Sequence, residues 1–256
     1  MPTRIVWAHR VADQTIRRTI DREMQSRRGF SGGAIDILSL FINAAYPDGS
    51  RMDNAAVRDE VMTLMSTGYE TIGDALGWTW YLLAKHPEVE ARMLHEIKGV
   101  LQGRLPSVDD VNKLRYTAMV LDESMRLYPP TWIVVRMAVN RDTLPSGTTI
   151  PAGAKIYVCQ YVTHRHPSYY PNPERFDPER FSETAVGQRP RFAYFPFGGG
   201  PRTCIGEPFA RLEGVMVLAS LAPRFQFELL SGADVTPVPG ITLRPKTGIH
   251  VRIKPR

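Results

Sequence analysis

Cysteine is nearly absent from this chain: its 256 residues include two, Cys159 and Cys204. Two thiols 45 positions apart cannot form a disulfide framework, and no C-x-x-C pair offers a structural zinc site. A reducing compartment follows as the default, and a cytoplasmic location is the expectation. Long apolar runs are also missing. The opening "MPTRIVWAHR" lacks the apolar core of a signal peptide, and "GVMVLASLA" is too short to span a bilayer, so the chain does not read as a membrane anchor. Charge of one sign is not concentrated either. Lys and Arg outnumber Asp and Glu by 32 to 26, but the arginines are scattered and no nucleic-acid-binding module is visible. The densest basic run, Arg17, Arg18, Arg22, Arg27 and Arg28, has the spacing of a solvated helix face. A nucleic-acid partner is therefore not expected, and the surplus positive charge suits an acidic protein partner. Internal repeats and low-complexity segments are absent too.

What is present is an ordinary globular composition, 43% hydrophobic and 23% charged, long enough to bury a real core. The first two-thirds reads as helix: residues 4–27, then "RRGFSGGA" as a linker, then 35–45 as a short apolar helix. Asp53 is placed to cap a long helix ending at the His86–Pro87 break, with Val57, Val61, Leu64, Gly68, Ile72 and Leu76 as its apolar stripe. At 1.5 Å per residue that helix is about 48 Å long. Helices follow at 87–102, 107–113 and 114–128, the last stopped by Pro129 and Pro130. "WIVVRMAV" and "AKIYVCQYV" read as extended, a proline-rich loop follows, and "EPFARLEGVMVLASLAPRF" returns to helix before short closing strands. The fold class is mainly α with small β-sheets, α+β.

The stretch "FPFGGGPRTCIG" sets Cys204 at the end of a loop with almost no side chains. Phe197, Gly200, Arg202, Cys204 and Gly206 satisfy F-x-x-G-x-R-x-C-x-G at every defined position. This resembles the haem-binding loop of the cytochrome P-450 family of haem-thiolate monooxygenases. The chemistry is consistent with that resemblance. A helix beginning just after Cys204, with Pro208 in its first turn, points N–H groups and a positive dipole end at the sulfur, where a thiolate ligand is stabilised. Glycines let the backbone approach a flat macrocycle, and donors around the sulfur tune an iron–thiolate bond.

Three more stretches resemble the same family in the same order. "LDESMRLYPP" carries Glu123 and Arg126, an i,i+3 pair on one helical face. In the family an arginine from a "PERF" segment joins them. "FDPERF" supplies Arg180, "PNPERF" offers Arg175 as a second candidate, and spacing from Tyr169, which stands where the family often has tryptophan, favours Arg180. "WIVVRMAV" puts Arg136 where the family sends a basic side chain to a haem propionate, the role the resemblance also gives Arg202. "STGYETIG" resembles the oxygen-binding segment, with Thr67, Gly68, Glu70 and Thr71. Here Thr67 replaces the usual Ala or Gly, and Ile72 replaces a frequent second hydroxyl. Gly68 would permit a widened turn beside dioxygen.

The resemblance implies haem b with Cys204 as the axial ligand, O2, and an electron donor such as a ferredoxin or flavodoxin with its reductase. One oxygen atom of O2 would be inserted into a C–H bond of a small apolar organic substrate, with Glu70 as proton source and Thr71 as distal hydroxyl. Thr67, Ile72, Thr131 to Val134, Ile241 and Thr242 are the candidate substrate contacts. The resemblance covers residues 30–256, the carboxy-terminal half of that fold, which is thus truncated at the amino terminus. Residues 1–28 read as the final helix of a missing amino-terminal half and residues 29–256 as the haem-binding region. Self-association, or pairing with a separate amino-terminal half, is expected in that case. The alternatives are a truncated, non-catalytic haem-binding fragment, a haem-thiolate peroxygenase, and a cysteine hydrolase pairing Cys204 with His164, His166 or His250.

Overall fold

In the computed structural model, which describes residues 2–27, 36–232 and 234–256 (side chains from residue 12 onward in the first helix), the chain divides into the compact units Met1–Tyr69 and Glu70–Arg256. The expected linker, from Arg28 on, and the boundary at residues 28 and 29 lie outside the described residues.

The first unit holds α1 (Pro2–Arg27), α2 (Ile37–Asn43) and the beginning of α3 (Asn54–Lys85). Asx caps start both later helices. Asp36 Oδ1 accepts the Ser39 N–H at 2.8 Å, and Asp53 Oδ1 accepts the Ala56 N–H at 2.7 Å. Ile20, Met24 and Val57 form a small core flanked by Leu38, Phe41 and Val61. In the basic run, Arg17 pairs with Asp13 and Asp59 at 3.0 Å each, whereas Arg18 and Arg22 are exposed and Arg28 lies outside the described residues.

The second unit begins within α3. Its buried face there is Ala75, Trp78, Thr79, Leu82 and Leu83, while Ile72 and Leu76 are only partly buried at the flank of the core. The expected stripe therefore turns along the helix. The hydrophobicity pattern misses Thr79, whose hydroxyl is satisfied inside the helix by donating to the Ala75 carbonyl at 2.7 Å. The helix remains α-helical through Gly68, without the expected widened turn.

α4 (Pro87–Leu101), a 3-10 turn at Val108–Lys113 and α5 (Arg115–Leu127) follow. The 3-10 turn replaces the helix expected at 107–113. Asp110 closes a capping box with Ser107 and takes the Arg104 guanidinium through both oxygens, at 2.5 and 2.7 Å. β1 (Val134–Met137) leads through the short β2 (Asp142–Thr143) and β3 (Thr149–Ile150) to β4 (Lys155–Val158), and the pairs β1–β4 and β2–β3 are antiparallel. After β4 the expected strand becomes α6 (Gln160–Thr163), which buries Gln160. α7 (Glu183–Gly187) and the long α8 (Glu207–Leu221) come next. β5 (Phe225–Leu229) pairs with β8 (Val251–Pro255), and β6 (Pro237–Pro239) pairs with β7 (Leu243–Pro245).

α5 is the central strut, packed against α4 and α8. The contact with α8 is close because Gly214 faces Leu121, and a Cβ at Gly214 would lie 2.5 Å from the Leu121 side chain. Trp78 stacks on Tyr128 with ring centroids 4.0 Å apart and donates its indole N–H to the Leu243 carbonyl at 2.9 Å. The β6–β7 hairpin is thereby held against α3. Among the described residues, no helix is long and apolar enough to cross a membrane.

Candidate active site at the cysteine loop

The loop before α8 is shaped by its own backbone. Gly198 and Gly200 adopt φ values of +77° and +72°, where a side chain is strained. The Cys204 N–H donates to the Phe197 carbonyl at 2.9 Å and the Gly198 N–H to the Phe195 carbonyl at 2.9 Å, folding the chain into a tight hairpin. Gly206 occupies the N-cap of α8, and a Cβ there would lie 3.7 Å from the Cys204 sulfur. Cys204 is exposed at the amino end of this helix, and Ile205 and Phe209 beside it are 89% and 67% exposed. The other thiol, Cys159, donates weakly to the Trp132 carbonyl at 3.4 Å, a local packing role.

Behind the loop lies a polar brace. Arg126 and Glu123 are fully buried and joined through two hydrogen bonds, Nε to Oε2 at 2.6 Å and one terminal nitrogen to Oε1 at 2.9 Å. Arg180 Nε approaches Glu123 Oε1 at 3.5 Å, whereas Arg175 contributes only its backbone carbonyl, which accepts from Arg126 at 3.3 Å. Arg126 also donates to the His164 carbonyl at 2.8 Å, and His164 Nε2 accepts the Phe195 N–H at 3.0 Å. His164 thus joins the brace to the start of the cysteine loop. Burial, reinforced by Arg126 and Arg165, pushes its imidazole down to about 3, so the ring is neutral. This removes His164 from the cysteine-hydrolase alternative, because the ring is inaccessible and its accepting nitrogen is occupied by the backbone.

A second network ties α8 to α5. Arg211 donates to Glu207 at 2.9 Å and to Asp122 at 2.6 Å, and Asp122 also accepts the Tyr194 hydroxyl at 2.9 Å. The Arg211 guanidinium lies 5.2 Å from the centre of the Phe197 ring. Burial pushes the Asp122 carboxyl above its usual range, against the pull of Arg211. The i,i+4 spacing of Glu207 and Arg211 was visible in the sequence, but its convergence on Asp122 was not.

On α3, Glu70 and Thr71 are half-buried. Glu70 Oε1 accepts the Thr242 hydroxyl at 3.2 Å, so this acid is not on a freely solvated face. Thr242, read from sequence as a substrate contact, is only 5% exposed and committed to that bond, while its neighbour Ile241 is 95% exposed. The Leu243 N–H donates to the Pro130 carbonyl at 2.9 Å and Trp132 to the Gly240 carbonyl at 3.0 Å, which brings the segment holding Thr131 beside the hairpin. Thr131 and Val134 are half-buried, and Ile72 packs toward the core. Thr67 lies in the first unit and donates to the Thr63 carbonyl of its own helix at 2.8 Å. Arg136 and Arg202 are exposed and belong to no ion pair among the described residues, although Arg136 donates to the Val135 carbonyl at 2.9 Å.

The structure thus sets an exposed cysteine on a glycine loop at the start of α8 and an acid–threonine pair on α3, within a mainly helical fold. The cytochrome P450 family profile matches residues 2–252, and the chain belongs to that family. It is 37% identical over 233 residues to cyclooctat-9-en-7-ol 5-monooxygenase of Streptomyces melanosporofaciens, covering 91% of this chain and 49% of that protein. It is 35% identical over 221 residues to pentalenene oxygenase of Streptomyces avermitilis, covering 86% of this chain and 49% of that protein. The crystal structure of the cytochrome P450 CYP102L1 superposes with a TM-score of 0.90 at 30% identity, covering 99% of this chain and 58% of that one. The chain therefore spans about half the length of the curated relatives it matches.

Family membership brings haem b as the cofactor, and the loop fits it. Cys204 is exposed, no side-chain atom lies within 4 Å of where a Cβ would stand at Gly198 or Gly200, so a flat ring can approach the backbone there, and Arg136 and Arg202 are exposed cations of the kind that pair with propionates.

Proposed function

We propose that this chain carries the haem-thiolate centre of a monooxygenase that inserts one oxygen atom of O2 into a C–H bond of a small apolar organic substrate. The exposed Cys204 sulfur at the amino end of α8, on a loop with left-handed glycines at 198 and 200, carries this reading. When bound, haem supplies the redox-active iron at which O2 is reduced. Cys204 is assigned as the protein's iron ligand, and Arg136 and Arg202 as propionate partners. The Glu123–Arg126–Arg180 brace and His164 hold the loop in place. Glu70 is assigned as the proton source, and Thr71, one residue on, as the distal hydroxyl. Ile72, Thr131, Val134 and Ile241 are the proposed substrate contacts, and the apolar side chains among them suit an apolar molecule. The oxygenase names of two relatives support the reaction class. A small electron-transfer protein of the ferredoxin or flavodoxin type, with its reductase, is the proposed reductant.

The test is the carbon monoxide difference spectrum of the reduced, haem-loaded protein. Cys204→Ser should abolish the red-shifted band of a thiolate-ligated haem, while Cys159→Ser should leave it intact. Loss of that band in the Cys159 variant alone would reverse the ligand assignment.

A further inference from the structure

A cleft of about 260 Å³ opens between the carboxy-terminal ends of α4 and α8, both within the second unit. Its floor is apolar: Ile97, Leu101 and Ala219 are each almost fully buried. Its rim is cationic, with Lys98 in the last turn of α4, Arg104 shortly beyond that helix, and Arg224 shortly beyond α8. Cys204 stands at the opposite end of α8, a helix about 22 Å long, so the cleft is separate from the cysteine loop.

The three cations are not alike. Arg104 already has its counter-charge, because Asp110 takes its guanidinium through both oxygens. Arg224 donates one terminal nitrogen to the Ser220 carbonyl at 2.7 Å, which fixes the guanidinium at the end of α8 and leaves its other N–H donors unspent. Lys98 and Arg224 belong to no ion pair among the described residues. The carbonyl end of each helix offsets only about half an elementary charge, so both cations keep an unmet demand for an anion. The floor between them makes a different demand, for apolar cover. A carboxylate joined to a short alkyl chain meets both, since its oxygens accept charge-assisted hydrogen bonds from an ammonium and a guanidinium while its chain covers the aliphatic side chains.

We propose that this cleft binds a small aliphatic carboxylate, its head held between Lys98 and Arg224 and its chain laid on Ile97, Leu101 and Ala219. An inorganic anion would leave the floor uncovered, and an uncharged alkyl chain would leave the cations unpaired, so head and chain are both required. Ser220 stands on the wall of the cleft and is half-buried, so a longer side chain at that position would occupy the space the alkyl chain needs. Binding here is non-covalent and does not depend on the oxygenase reading above.

Hexanoate is the probe that tests it. In the full chain labelled with 13C at the isoleucine methyls, the Ile97 signal is identified by its loss in Ile97→Val, and hexanoate should shift that signal saturably. Acetate lacks the chain and hexanol lacks the charge, so each should need at least about tenfold higher concentration for the same shift. Lys98→Gln and Arg224→Gln change exposed residues and leave the core in place, which circular dichroism would check. Each should weaken hexanoate binding about tenfold, the usual size for losing one hydrogen bond to a charged group. Ser220→Leu should abolish the shift by filling the cleft. An Ile97 signal that hexanoate does not move, or equal affinity in wild type and both glutamine variants, would overturn the site. Acetate binding as tightly as hexanoate would overturn it too, by reducing the cleft to a basic rim that holds any anion.

Discussion

The neutral imidazole of His164 accepts the Phe195 N–H at 3.0 Å while its backbone carbonyl accepts the Arg126 guanidinium at 2.8 Å. One residue thus connects a fully buried ion pair to the loop that presents Cys204. The connection depends on the ring staying uncharged, because a protonated imidazole has no lone pair for the Phe195 N–H.

Stability should therefore fall as the solution is acidified. The ring titrates at about 3 in the folded chain, against 6.5 when free, so between these values the unfolded chain binds a proton that the folded chain does not. The contribution is whole above pH 6.5 and shrinks below it, by about 2 kcal/mol at pH 5. His164→Gln retains an acceptor and cannot titrate. Its urea-unfolding free energy should show a shallower pH slope than wild type between pH 6.5 and 4. Parallel slopes would remove His164 from the acid response.

Arg126→Ala should be among the most destabilising single changes in the brace. It leaves Glu123 fully buried with only the Asp177 N–H at 2.9 Å and Arg180 at 3.5 Å. Breaking a buried pair from one side costs about 3–5 kcal/mol, and chemical denaturation would measure it. Arg180→Gln should cost clearly less, since that side chain is partly exposed and its Nε has no hydrogen-bond partner.

Two glycines should respond oppositely to alanine. Gly214→Ala drives a methyl group to within 2.5 Å of Leu121 in the α5–α8 contact and should destabilise by about 1–3 kcal/mol. Gly99→Ala, on α4 with nothing within 4 Å, should stabilise by up to about 1 kcal/mol through helix propensity. Thermal unfolding of the two variants gives the comparison.

In the assembled, reductase-supplied protein, Thr71→Ala should leave the thiolate band intact and divert reducing equivalents into hydrogen peroxide. Removal of a positioned proton donor typically costs 100-fold or more, so product per electron should drop at least about tenfold. Glu70→Gln should slow oxygen consumption in the same assay. Unchanged stoichiometry in Thr71→Ala would exclude the threonine from proton delivery.

Helix starts were legible where the signal is local. Asp53 caps α3 through a neighbour three residues away, and the double proline after α5 stops that helix by removing N–H donors. The "AKIYVCQYV" run was misread because its apolar alternation continues past Val158, whereas the chain turns into α6 to bury Gln160 and His164, residues that hydropathy assigns to the surface. Thr79 escaped the α3 pattern for a similar reason, since its hydroxyl is satisfied within its own helix.

The sequence by itself determined the cysteine loop, because its geometry is made within a few residues: left-handed glycines at 198 and 200, and a Cys204 N–H bonded to the Phe197 carbonyl. Only the tertiary structure decided what stands behind that loop and beside the acids of α3. His164 meets Phe195 across 31 positions, Trp78 meets Leu243 across 165, and Thr242 meets Glu70 across 172. A side chain's identity shows that it needs a partner. Which partner it finds is settled when helices and hairpins pack and water is excluded from their polar groups.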